Sequence, residues 1–313
     1  MNTPIYERLA ERKMPDRGDR ELEFLKLSVD AYKAAGFDYA TALHASDFEF
    51  KTERNTEDRM DTISLNQGFV ITDEDSFEKY QWPDAECYDY SRLEKILPFL
   101  PEGMKLMVMG PCGVLENVIA LTGYDNLCFM LYDNPPLAKA VFDKVGGCLL
   151  KYYEISLTYE SVGIISSNDD WGFKTQTFLS PEQMREYLFP WHRKIVEAAH
   201  KSGRPVILHS CGYFNVVMDD VIEMDFDGKH SYEDVILPVE DSYEKWQGRI
   251  GILGGMDMNF LITHNEEDIM KRCRAMLKRA EGRGGYALGT GNSVPEYLPQ
   301  DHYIALLRAG IEY

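Results

Sequence analysis

The feature that most restricts the fold is a rhythm in the last two thirds of the chain. Short apolar runs alternate there with longer segments of helical periodicity. KLMVMG (105–110), VGIISS (162–167), PVILHS (205–210), FDGKH (226–230), RIGILGG (249–255) and GYALGT (285–290) read as strands. Between and after them, helices are predicted over 113–121, 125–133, 135–160, 181–202, 213–223, 238–247 and 266–280, and from Pro295 to the end. Short apolar strands alternating with helices describe a parallel sheet covered on both sides. Their count and the 313 residues favour one closed, distorted (β/α)8 TIM-type barrel over an open doubly wound sheet. Ahead of it, 20–35 reads as a helix and 38–43 as a weak strand, so residues 1–60 are expected to form a helical and irregular segment packed on a single barrel domain spanning 1–313.

Charge and composition narrow the partners. The net charge of −19 repels phosphate backbones and anionic lipid, which argues against nucleic-acid and membrane-surface roles. No apolar stretch reaches the roughly 18 residues of a membrane span, and the charged N-terminus lacks a signal-peptide core. The six scattered cysteines, with no C-x-x-C, suggest thiols in a reducing compartment, so a cytoplasmic location is expected. No G-x-G-x-x-G follows an early strand, and Gly289-Thr290-Gly291-Asn292-Ser293 lacks the lysine of a phosphate loop.

In β/α barrels the chemistry sits at the C-terminal ends of the strands. That rule selects Cys112 and Glu116, then Asn168, Asp169, Asp170 and Trp171, then His209 and Cys211, then His230 and Glu233, then Asp257 and Asn259, then Thr290, Asn292 and Ser293. Asn168, Asp257 and Ser293 serve equally well as helix caps. Asp169 and Asp170 exceed what one cap needs, and adjacent carboxylates raise one another's pKa, which suits one of them to donate a proton. His209 and Cys211, two apart at a strand end, can reach one zinc ion, or be an ordinary core histidine and a packed thiol.

Taken together, Asn168-Asp169-Asp170-Trp171-Gly172, Ser180-Pro181-Glu182, Pro190, Ile207-Leu208-His209-Ser210-Cys211-Gly212, Gly254-Gly255-Met256-Asp257 and Gly289 to Pro295 resemble the uroporphyrinogen decarboxylase-like superfamily over roughly 100–313. The resemblance implies a distorted (β/α)8 barrel and two possible chemistries. One is cofactor-free decarboxylation of uroporphyrinogen; the other is methyl transfer involving a corrinoid protein, usually with zinc. The decarboxylases carry an arginine-rich N-terminal motif near M-R-Q-A-G-R, and Arg8, Arg12, Arg17 and Arg20 lack that context. Methyltransferases acting on methylated thiols use a His-x-Cys pair plus a distant cysteine. His209 and Cys211 match the pair, but Thr290 stands at the distant position.

The methyltransferase I components of aryl methyl ether O-demethylases resemble the chain better, through a motif E-x14-E-x20-H that Glu266, Glu281 and His302 fit. Those two glutamates bracket one predicted helix, whose fifteen residues span about 22 Å. A barrel-mouth zinc held in part by His209 and Cys211 with an acidic neighbour is therefore the preferred metal site, and the motif set is the alternative. The resulting expectation is a methyltransferase moving a methyl group from a methoxylated aromatic, such as vanillate or veratrol, to the Co(I) centre of a corrinoid (cobalamin) carried by a partner protein. A carboxy-lyase is the alternative. Asp169, Asp170, His209 and His230 are the candidate catalytic residues. Trp171, Phe173, Tyr213, Asp257 and Asn292 are the candidate substrate contacts, the aromatic ones being equally suited to plain packing.

Overall fold

A computed structural model describes residues 2–15, 18–42, 44–53 and 65–313. Arg17, Leu43 and the end of the 1–60 segment lie outside the described residues. Seven strands form one parallel sheet in chain order: β1 (Tyr39–Ala42), β2 (Lys105–Met109), β3 (Val162–Asn168), β4 (Val206–His209), β5 (Gly228–His230), β6 (Gly251–Leu253) and β7 (Tyr286–Ala287). Each strand pairs only with its sequence neighbours, and helices connect them, as the alternation predicts. The fold is the β/α-barrel class, distorted.

The distortion is specific. Among the described residues seven strands stand where eight were expected, and no ladder joins β7 to β1. Even so, β1 and β7 line the same cavity, so the sheet curls most of the way round. The opening between them is walled by Tyr6 of helix Thr3–Leu9, Tyr32 of helix Arg20–Ala34 and Tyr303 of helix Gln300–Ile311. Asn2 donates to the Pro295 carbonyl at 3.0 Å, and Arg8 pairs with Asp301, tying the N-terminal helix to the loop and helix that follow β7.

Strand alternation sorts the core into two layers. On β2, Leu106 and Val108 are fully buried under the helices, while Met107 and Met109 face the lumen. The helix opened by the Ser180 cap and Pro181 includes a π-helical turn, Met184–Leu188, before continuing as Phe189–Lys201. Pro190, which has no N–H to donate, accounts for that widened turn. Two helix boundaries move inward from expectation. Residues 213–217 are a loop, leaving a helix of only Met218–Glu223, and Pro295 opens no helix. Among the described residues no helix is long and apolar enough to cross a membrane.

Helix Pro135–Ser156 shows how closely the outer layer packs. A Cβ on Gly146 would fall 2.2 Å from the Trp191 ring, whereas one on Gly147 meets nothing nearer than 3.9 Å. Gly146→Ala therefore overpacks the interface and destabilises the chain by about 1–3 kcal/mol. Gly147→Ala improves helix propensity and stabilises by about 0.5–1 kcal/mol. Urea unfolding of both variants checks the opposite signs.

Candidate active site

Strand β3 ends in two carboxylates with different tasks. Asp169 is fully buried. Its oxygens accept the backbone N–H groups of Leu115 and Glu116, both at 3.0 Å, at the N-terminus of helix Val114–Thr122, and lie 2.9 Å from His192 Nε2. The other His192 nitrogen sits 3.1 Å from Ser167 Oγ. The order Ser–His–Asp imitates a hydrolase triad, but all three side chains are buried and Ser167 is not part of the lumen lining. This is a brace: a carboxylate at a helix N-terminus, oriented by a histidine. The expectation that Asp169 is a proton donor at the mouth is corrected accordingly. Gly113 is required beside it, since a Cβ there would sit 2.1 Å from the Asp169 carboxyl carbon.

Asp170 points the other way. Its Oδ1 accepts the Cys211 N–H at 2.7 Å. Cys211 Sγ lies 3.6 Å from His209 Nε2 and accepts from Asn292 Nδ2 at 3.2 Å and Ser231 Oγ at 3.4 Å. His209 Nδ1 is 2.7 Å from His230 Nδ1, and His230 Nε2 is 3.1 Å from the Thr290 carbonyl. A carbonyl only accepts, so His230 carries its proton on Nε2. Burial draws His230 down to about 3 and His209 to about 4, so both rings are neutral. His209 must then donate from Nδ1, which leaves the Nε2 lone pair facing the thiol. Burial, reinforced by Asp170, pushes Cys211 up to about 12.

This donor set fits a metal. One ligand atom each from Asp170, His209 and Cys211 lies within 4.8 Å of the others. Ligands of a tetrahedral zinc sit about 3.3–3.8 Å apart, so small side-chain shifts suffice, and three protein ligands leave a fourth position open. The His209–His230–Thr290 chain is the kind of outer hydrogen bonding that orients a ligating imidazole. A divalent cation would also reverse the charge logic that keeps the thiol protonated.

The alternative motif is corrected. Glu266 begins helix Glu266–Ala280 and Glu281 caps its far end. Glu281 accepts from the Tyr313 hydroxyl, and His302 Nδ1 contacts the Leu261 carbonyl at 2.7 Å. Fifteen helical residues hold the two carboxylates about 22 Å apart, beyond one ion's reach. Trp171 is also corrected: it is fully buried against Phe189 and His192, leaving no ring face for a substrate. Asp257 caps helix Met258–Thr263 and accepts the Asp234 N–H, so both oxygens are used. Phe173 packs on Tyr124 and Phe178, and the Tyr213 N–H bonds the Phe173 carbonyl; neither side chain lines the lumen. His209, His230 and Asn292 do line it.

The lumen is a cavity of about 260 Å³ lined by Met107, Met109, Ile207 and Leu253, with His209, His230 and Asn292 and the three wall tyrosines. No arginine or lysine is among its lining residues.

A family model for uroporphyrinogen decarboxylase (URO-D) matches residues 104–313. The chain belongs to that family. Two curated relatives, both named uroporphyrinogen decarboxylase, come from Anaeromyxobacter dehalogenans (strain 2CP-C) and Anaeromyxobacter sp. (strain Fw109-5). Each is 24% identical, over 69% and 72% of this chain and 64% and 67% of the relatives, so the chain spans about two thirds of their length. Among solved structures, a methyltransferase from Methanosarcina mazei shares the fold with a TM-score of 0.69 and 14% identity, over 100% of this chain and 91% of that one.

Two further residues of this URO-D family chain escaped selection from sequence. His192 and Lys229 lie in a helix and a strand with no motif to flag them, while Glu116 was selected as a strand-end residue but given no role. Burial, then the nearby Asp169 and Asp170 charges, raise the Glu116 carboxyl to about 8, against 4.5 for a free glutamate. Between those values the unfolded chain releases this proton and the folded chain keeps it, so stability falls as pH rises from about 4.5 to 8. Glu116→Gln removes that loss. In metal-free protein its melting temperature matches wild type near pH 4 and exceeds it by a few degrees at pH 8, measured by calorimetry.

Proposed function

We propose that the chain moves a methyl group from a methoxylated aromatic held in the barrel lumen to the Co(I) centre of a corrinoid carried by a partner protein. The observation that carries this reading is the lumen itself. At close packing a methoxylated single ring needs roughly 200 Å³, which a cavity of about 260 Å³ accommodates. The apolar methionine, isoleucine and leucine walls suit a ring, and a lining without arginine or lysine offers nothing to eight carboxylates.

Zinc held by Asp170, His209 and Cys211 would supply a Lewis acid beside the reacting ether oxygen. The chain's own residues orient and protonate. Phenolate leaves poorly, and Glu116, its carboxyl raised to about 8 by burial and then by the Asp169 and Asp170 charges, keeps a proton at neutral pH. The neutral His209–His230 pair and the Asn292 amide keep the thiol in place. Exposed Phe173, Val216, Val235 and Tyr297 stand on the loops after β3, β4, β5 and β7, an apolar rim suited to a docked protein. A cytoplasmic location, where Cys211 stays reduced, fits this reading. The names of the two curated relatives favour decarboxylation as the second reading.

The test mixes pure protein, a reduced corrinoid protein and vanillate, and follows loss of the Co(I) absorbance. Wild type is expected to consume Co(I), and Cys211→Ser and Asp170→Asn to slow this by about 100-fold or more. Release of coproporphyrinogen from uroporphyrinogen by metal-free protein, with Co(I) untouched by every methyl donor, would establish the decarboxylase instead.

A further inference from the structure

Lys229 is fully buried on β5. Its neighbour His230 faces the lumen, so Lys229 points to the opposite side, into the layer beneath the helices. There the ammonium lies 3.5 Å from the centre of the Phe214 ring and 4.5 Å from that of Tyr232. It donates to the Ser210 carbonyl at 3.0 Å and to the Ser231 carbonyl. Ser210 is the residue between His209 and Cys211. Ser231 follows His230 and holds a left-handed backbone, φ 84°, in which its hydroxyl reaches Cys211 Sγ at 3.4 Å. One amine thus joins the ends of β4 and β5 at the two residues that flank the metal-site side chains.

We propose that Lys229 is a positioning residue: by clamping the Ser210 and Ser231 carbonyls it holds His209, Cys211 and the Ser231 hydroxyl in the arrangement that binds the metal. A left-handed serine costs free energy that surrounding contacts must offset, and the clamp is such a contact. Stability alone argues against a lysine here. Burying an amine is costly, and burial draws this one down to about 7. A methionine of similar length would fill the same space between Phe214 and Tyr232. The inference rests on the metal reading given above.

Lys229→Met and Lys229→Gln test it in the full-length chain. Zinc affinity is read by competition with a chromogenic chelator, Co²⁺ loading by its thiolate charge-transfer absorbance, and metal-free stability by melting. The expected result is a metal-free chain that melts within a few degrees of wild type but binds zinc at least about tenfold more weakly, with a shifted Co²⁺ spectrum. The glutamine variant, which keeps two N–H donors on a shorter arm, should fall between. If Lys229→Met does not fold, Lys229→Gln decides. Wild-type zinc affinity in the folded variants, with or without a lowered melting temperature, overturns the proposal and leaves the metal reading standing. Failure of wild type itself to take up zinc overturns both.

Discussion

A single buried carboxylate organises the mouth of this barrel. Asp169 is fully shielded from water, yet it is satisfied by two backbone N–H groups and a histidine. A buried polar group costs free energy when it is left without hydrogen-bond partners. Asp169 persists because the positive end of helix Val114–Thr122 arrives there, and the helix arrives there because Gly113 leaves room. The consequence is geometric. With Asp169 anchored inward, the next residue, Asp170, must turn outward, toward the Cys211 loop. The same anchor fixes the Glu116 backbone and so presents a third carboxyl to the other two. The raised Glu116 pKa and the placement of the candidate metal ligands therefore share one cause.

The unclosed side of the sheet shapes the other half of the site. A regular eight-stranded barrel fills its interior with side chains in layers. Here the missing β7–β1 ladder is replaced by tyrosines from three helices, two of them N-terminal to the first strand. Rings on helices stand further out than side chains on a strand would, so space is left inside. Gly254 and Gly289 belong to the lumen lining, and a Cβ on Gly254 would fall 2.9 Å from the His230 ring, so glycine there lets that imidazole take its place. The N-terminal segment is thus part of the cavity wall as well as a covering of the barrel.

Much of this was legible in the sequence, for a physical reason. Apolar runs such as KLMVMG and PVILHS can be satisfied only in a sheet buried on both faces, so the strands and their parallel order follow from pattern. The rule that strand ends carry chemistry also brought Asp170, His209, Cys211, His230 and Asn292 onto one list. What pattern could not distinguish was direction. Asp169 and Asp170 are equivalent in sequence, and only the arrival of a helix 53 residues away in the chain decides which is a brace and which faces the site. Trp171 failed as a ring platform for the same reason, being drawn inward beside Asp169 and His192. The E-x14-E-x20-H spacing failed differently: it is satisfied in sequence, but helix rise makes it impossible in space.

His192 and Lys229 were invisible because each acts through backbone or through another side chain. A histidine inside an amphipathic helix and a lysine in a three-residue strand look like solvated residues until burial is known. Their positions follow one logic nonetheless. Each lies on the outer side of the sheet, opposite the lumen, and each fixes a strand end: His192 through Asp169 on β3, Lys229 through the Ser210 and Ser231 carbonyls after β4 and β5. Lumen-facing His209 and His230 lock one another by a hydrogen bond between neutral rings. The mouth is therefore held from behind by buried polar groups and from inside by a proton arrangement with one free lone pair. That lone pair belongs to His209 Nε2 and faces Cys211, and no other placement of the two imidazole protons satisfies both the Thr290 carbonyl and the His209–His230 contact while both rings stay neutral.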